Sequence, residues 1–130
     1  MSSIRDRVAP IAPGKGGPFT PGERLLLNAF VASSRRLSDR GAIERILVFG
    51  SRARGEGDEE SDLDLAVLVS GSAPRSLDRE LVALAETVQE GWEDLPHLRP
   101  ITIRAGDRTN PALLNVIDRE GIVLWAKTSD

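Results

Sequence analysis

The chain has no cysteine and no tyrosine, a single histidine and a single methionine, and aromatic residues fill only 4% of its 130 positions. Without cysteine there is no disulfide, no thiolate metal site and no cysteine nucleophile, and the chain suits a reducing compartment. One histidine, His97, excludes a two-histidine metal centre within a single chain. Set in "DLPHLRP" between two prolines, it reads as a loop or strand-edge residue. No apolar run approaches the ~18 residues of a membrane span, and the N-terminus carries no hydrophobic signal segment. The expectation is therefore no membrane and a cytoplasmic location. A net charge of −3 offers no long-range attraction to nucleic acid, so direct DNA binding is not expected. What is present is enough apolar content, 40%, for one core in one domain.

Residues 1–19 hold Pro10, Pro13, Gly14, Gly16, Gly17 and Pro18 with little periodicity, and read as a flexible arm ahead of a domain spanning 20–130. The "GKGG" within the arm lacks the strand and the Gly-x-x-x-x-Gly-Lys-Ser/Thr frame of a phosphate loop. "TPGE" is a helix start, with Thr20 as N-cap, Pro21 at the first helical position and Glu23 closing a capping box. Leu27, Phe30, Val31 and Leu37 share its apolar face, and Gly41 is the expected stop. "ILVFG" and "LDLAVLV" read as two strands. A helix from about Ser76 to Gly91 follows, its apolar face marked by Leu77, Leu81, Leu84, Ala85, Val88 and Trp92. "RPITIRA" is a third strand and "NPALLNVIDREG" a helix with Asn110 as N-cap and Gly121 as stop. "IVLWA" is a last short strand, whose Trp125 serves either the core or an interface. The order α-β-β-α-β-α-β predicts a small α/β domain with a mixed sheet of about four strands flanked by helices.

The chemistry concentrates in "VFGSRARGEGDEESDLDLAV", residues 48–67. Asp62 and Asp64 are two apart, so in a strand both point to one face, about 7 Å apart along the chain. Two carboxylates so placed can bind Mg²⁺ through hard oxygen ligands. Before them, Gly50 ends a buried strand and lets a phosphate approach the backbone, Ser51 offers an N–H and a hydroxyl, and Arg52 and Arg54 offer guanidinium groups. Gly-Ser alone is a common turn, and Asp-x-Asp alone a common exposed pair. Their conjunction at one end of a sheet is far more specific, and describes a site for a nucleoside triphosphate with divalent metal. Glu56, Asp58, Glu59 and Glu60 lie in the connecting loop and read as a solvated charge run.

"GSRARGEGDEESDLDLAV" resembles the signature of the DNA polymerase β-type nucleotidyltransferase superfamily, Gly-Ser followed about ten residues later by Asp-x-Asp. Its compact size and "GSRARG" wording are similar to the minimal nucleotidyltransferase (MNT) subgroup. The resemblance is close through the first two strands and looser down to "GIVLW". It implies the polymerase β-like fold and Mg²⁺-dependent transfer of a nucleoside monophosphate from a triphosphate, AMP from ATP, with pyrophosphate leaving. Gly50 and Ser51 would bind the triphosphate, and Asp62 and Asp64 would hold two metal ions. Many such proteins are antitoxins paired with an HEPN-domain toxin, and some adenylylate a tyrosine on it.

One departure accompanies the resemblance. The family carries a third carboxylate on the third strand, and the matching position reads here as Thr102, which is neither a general base nor a firm metal ligand. On this reading Thr102 faces the acid pair while Ile101 and Ile103 pack inward. Asp107 lies about 16 Å further along an extended chain and is no ready substitute. Three functions follow: an active nucleotidyltransferase acting on a toxin, a pseudo-enzyme that neutralises its partner by binding alone, and an antibiotic-modifying enzyme. The last is disfavoured because 130 residues leave no room for a substrate-binding helical domain.

Overall fold

The computed structural model describes residues 18–56 and 61–128; the arm over 1–17, with its "GKGG", and the loop acids Asp58, Glu59 and Glu60 lie outside them. Helix α1 spans Pro21–Ser34. Thr20 Oγ1 accepts from the Glu23 N–H while Glu23 Oε1 accepts from the Thr20 N–H, the reciprocal cap that "TPGE" predicts. The helix ends before the expected Gly41. The Ser34 hydroxyl donates to the Val31 carbonyl, the Arg35 N–H closes on Val31, and turns lead to a 3₁₀ turn, Arg40–Ala42, that contains Gly41. Phe19 is buried in the core, so the folded domain already includes this last residue of the predicted arm.

Strand β1 (Ile43–Phe49) begins three residues earlier than "ILVFG", and strand β2 is Leu63–Val69. Helix α2 (Ser76–Gln89), strand β3 (Leu98–Arg104), helix α3 (Pro111–Glu120, capped by the Asn110 side chain) and strand β4 (Ile122–Ala126) complete the order. The sheet runs β3-β2-β1-β4. β1 is antiparallel to both β2 and β4, whereas β2 and β3 are parallel, joined by α2 as their crossover. This is a four-stranded mixed sheet with three helices, the α/β architecture that the sequence predicts.

Alternation divides the sheet into two faces. Ile46, Val48, Leu63, Leu65, Val67 and Val69 meet Leu26, Leu27, Phe30, Leu77 and Leu81 from α1 and α2 in the main core. The opposite face carries Leu47, Phe49, Ala66 and Ile103, covered in part by Ile117 of α3. Trp125, paired with Ile46, is 1% exposed and lies in the main core, with the Arg35 guanidinium 4.1 Å from its ring centre. It is a core residue. Gln89 fixes how β3 enters the sheet: its amide donates to the Trp92, Leu95 and Pro96 carbonyls, and its Oε1 accepts from the Leu98 N–H. Among the described residues no helix is long and apolar enough to cross a membrane.

Candidate functional site

The register of the β1–β2 ladder places Phe49 beside Asp64, so the turn that follows β1 opens where the acids begin. Gly50 turns the chain with φ of +87°, a conformation side chains resist. The backbone then coils on itself without forming a regular helix: the Arg54 N–H reaches the Gly50 carbonyl at 3.2 Å and the Glu56 N–H the Ser51 carbonyl at 2.8 Å. A β-carbon built on Gly50 would lie 2.7 Å from Asp64 Oδ2. Turn and carboxylate are therefore in contact, on the sheet face that α3 covers only in part.

Asp64 is half-buried, and Asp62 lies just ahead of β2 on the same side by alternation. Burial raises the Asp64 carboxyl above its ordinary pKa; the Arg99 guanidinium opposes this and the charge of Asp62 adds to it. Two hard carboxylates on one face, one desolvated and repelled by the other, fit one divalent cation. Among the described residues no group of three or more His, Asp and Glu side chains gathers at a possible metal position.

The two predicted arginines part company. Arg52 is buried, with Nη2 2.5 Å from Glu23 Oε1, and Glu23 is 1% exposed. Its guanidinium is buried against the N-terminal cap of α1, a contact that fastens the turn to the helix. Arg54 remains at the surface, donating to Glu56 and to Glu120 at 2.9 Å each.

Thr102 is also reassigned. The parallel register sets Thr102 beside Val67, whose side chain is fully buried in the main core, and sets Arg99 beside Asp64 and Ile101 beside Ala66. Paired strand residues point to the same side, so Thr102 faces away from the acids. The same face carries Pro100 and Arg104; Arg104 reaches Asp78 and the Ala73 and Pro74 carbonyls at the start of α2. Ile103 does pack inward, under α3, but Ile101 is 37% exposed on the acid face. The β3 residue paired with Asp64 is Arg99. Its Nη1 is 3.2 Å from Asp62 Oδ2 and its Nε 4.0 Å from Asp64 Oδ1. Sequence reasoning missed it because the register between β2 and β3 is set by contacts across the α2 crossover.

With that geometry in hand, comparisons with known proteins are informative. The family described as "Polymerase beta, Nucleotidyltransferase" matches residues 34–130. Among solved structures, a toxin-antitoxin with AMP-PNP is similar at 20% identity and a TM-score of 0.53, over 76% of this chain and 72% of that one. A mutant of the toxin-antitoxin MntA-HpeT is similar at 18% identity with the same TM-score and the same coverage. Comparison with curated proteins returns no match.

Proposed function

The chain belongs to the polymerase β-type nucleotidyltransferase family, and from that premise we propose that it transfers AMP from ATP onto a hydroxyl of a partner protein, an HEPN-type toxin, and acts in the cytoplasm as the antitoxin. The observation that carries this reading is the contact between Gly50 and Asp64, which joins a phosphate-accepting turn to a metal-accepting carboxylate on one face. The similarity of the fold to toxin-antitoxin structures supports the partner class.

In this reading the N–H groups of the Gly50–Ser51 turn receive the triphosphate beside the Asp64 carboxylate. Asp62 and Asp64 would hold Mg²⁺, which would supply positive charge against the phosphates. The acceptor oxygen forms its bond to that phosphorus as the bond to the β-phosphate oxygen breaks and pyrophosphate departs; the hydroxyl proton goes to solvent. Arg54, held by Glu56 and Glu120 at the rim, is the guanidinium available to the departing phosphates.

The test is transfer of labelled ATP to the purified toxin. Transfer should require Mg²⁺ and vanish in Asp64→Asn; failure of the wild type to bind any triphosphate overturns the reading. Arg99 favours a second reading, because a cation on the acid pair weakens metal loading: the chain neutralises its partner by binding alone. In that case wild type and Asp64→Asn neutralise the toxin equally and neither labels it.

A further inference from the structure

The carboxylate of Asp64 lies between two groups of opposite character. On its Oδ2 side is the Gly50 turn, with space for nothing larger than hydrogen. On its Oδ1 side is Arg99, projected from β3 by the parallel register and also paired with Asp62. The Arg99 side chain is long, 63% exposed and solvated, and among the described residues its ion pairs are with Asp62 and Asp64. A guanidinium and a divalent cation cannot share two carboxylates without repelling one another.

We propose that Arg99 is the resident cation of this site: it occupies Asp62 and Asp64 while no nucleotide is bound, and moves to the phosphates of an incoming triphosphate as the divalent ion takes its place. The site therefore disfavours metal alone and accepts metal and triphosphate together, since the anion gives the displaced guanidinium a new partner. This is a positioning and selectivity role, resting on the metal-binding reading of Asp62 and Asp64 given above. It makes a prediction that a merely structural surface arginine does not: removing Arg99 must change the affinities for cation and anion in opposite directions.

The experiment measures Mn²⁺ alone by electron paramagnetic resonance and, separately, a non-hydrolysable ATP analogue in the presence of a chelator, on the full chain. Arg99→Gln removes the charge and leaves a shorter polar side chain, and Arg99→Ala removes everything beyond the β-carbon. Each should bind Mn²⁺ about fivefold more tightly than wild type and the metal-free analogue about fivefold more weakly, in the range expected for an exposed ion pair. The Mn²⁺ gain should disappear when Asp64→Asn is added, which locates it at the acid pair. Unchanged or weaker Mn²⁺ binding in both Arg99 variants, with wild-type binding still dependent on Asp64, overturns the role of Arg99 and leaves the metal site standing. No Mn²⁺ binding by wild type or by either variant overturns both.

Discussion

Gly50 and Asp64 touch: the α-carbon of one leaves no room for a side chain because the carboxylate of the other fills the space, 2.7 Å from where a β-carbon would stand. Gly50→Ala should therefore do two things at once. The positive φ costs about 1–2 kcal/mol for any side chain, and the methyl must push Asp64 away from its place. The expected result is a lowered unfolding midpoint and loss of metal-dependent nucleotide binding. Retention of binding at wild-type affinity would show that Gly50 is a turn residue only.

The buried pair of Glu23 and Arg52 ties the turn after β1 to α1. Glu23→Gln keeps the shape of the cap but withdraws the charge facing a buried guanidinium, and breaking such pairs costs about 3–5 kcal/mol. Urea unfolding should show a loss near the low end of that range, since the amide oxygen can still accept from Thr20 and Arg52. A change within error would mean that Arg52 is held by its other contacts.

Trp125→Ala empties a fully buried position beneath Arg35. Large aromatic truncations cost about 3–5 kcal/mol, so the variant should be strongly destabilised in thermal unfolding. A variant as stable as wild type would contradict the placement of Trp125 in the core.

Asp78 anchors α2 to β3 through Arg104, with Oδ1 to Nη2 at 2.6 Å and Oδ2 to Nη1 at 3.1 Å. The Arg104 hydrogen bonds hold the Asp78 carboxyl below the usual carboxylate range. A carboxyl whose folded pKa is depressed stabilises the fold above its unfolded pKa and loses that contribution as pH falls through the folded value. Wild type should thus lose part of its stability over the acidic carboxylate range, and Asp78→Asn should flatten that part of the profile. The side chain is 40% exposed, so the effect should be small, on the order of 0.5 kcal/mol. Parallel stability–pH curves for the two proteins would remove Asp78 from the acid response.

The local elements were legible because their signals are local. The capping box of Thr20 and Glu23, the Asn110 cap and Pro111, and the period-two pattern of Leu63–Val69 all lie within a few residues of what they specify. The end of α1 was not, since Gly41 advertised a stop that the turns after Ser34 had already made. The site divides along the same line. Gly50, Asp62 and Asp64 belong to one hairpin: alternation sets the two acids on one face, and the β1–β2 register sets Gly50 beside Asp64. The partner of Arg52 lies far back in α1, and the identity of the residue facing Asp64 depends on how β3 slides along β2. In "RPITI" the isoleucines suggested the core face, yet Ile101 shares the open face with Arg99. A shift of one residue in register exchanges every side chain between faces, which is why Thr102 and Arg99 trade places.

Because the turn and the acid pair belong to a single hairpin between β1 and β2, the chemistry proposed for them would be confined to one end of the sheet. Substitutions at that end of the sheet leave the outer sides of α1, α2 and the β4 edge untouched. If the proposed function holds, a lineage would be able to lose turnover at the hairpin while its outer contours persist, or change those contours while turnover persists. Mutational paths toward a silent binder and toward a faster enzyme both begin from this one topology.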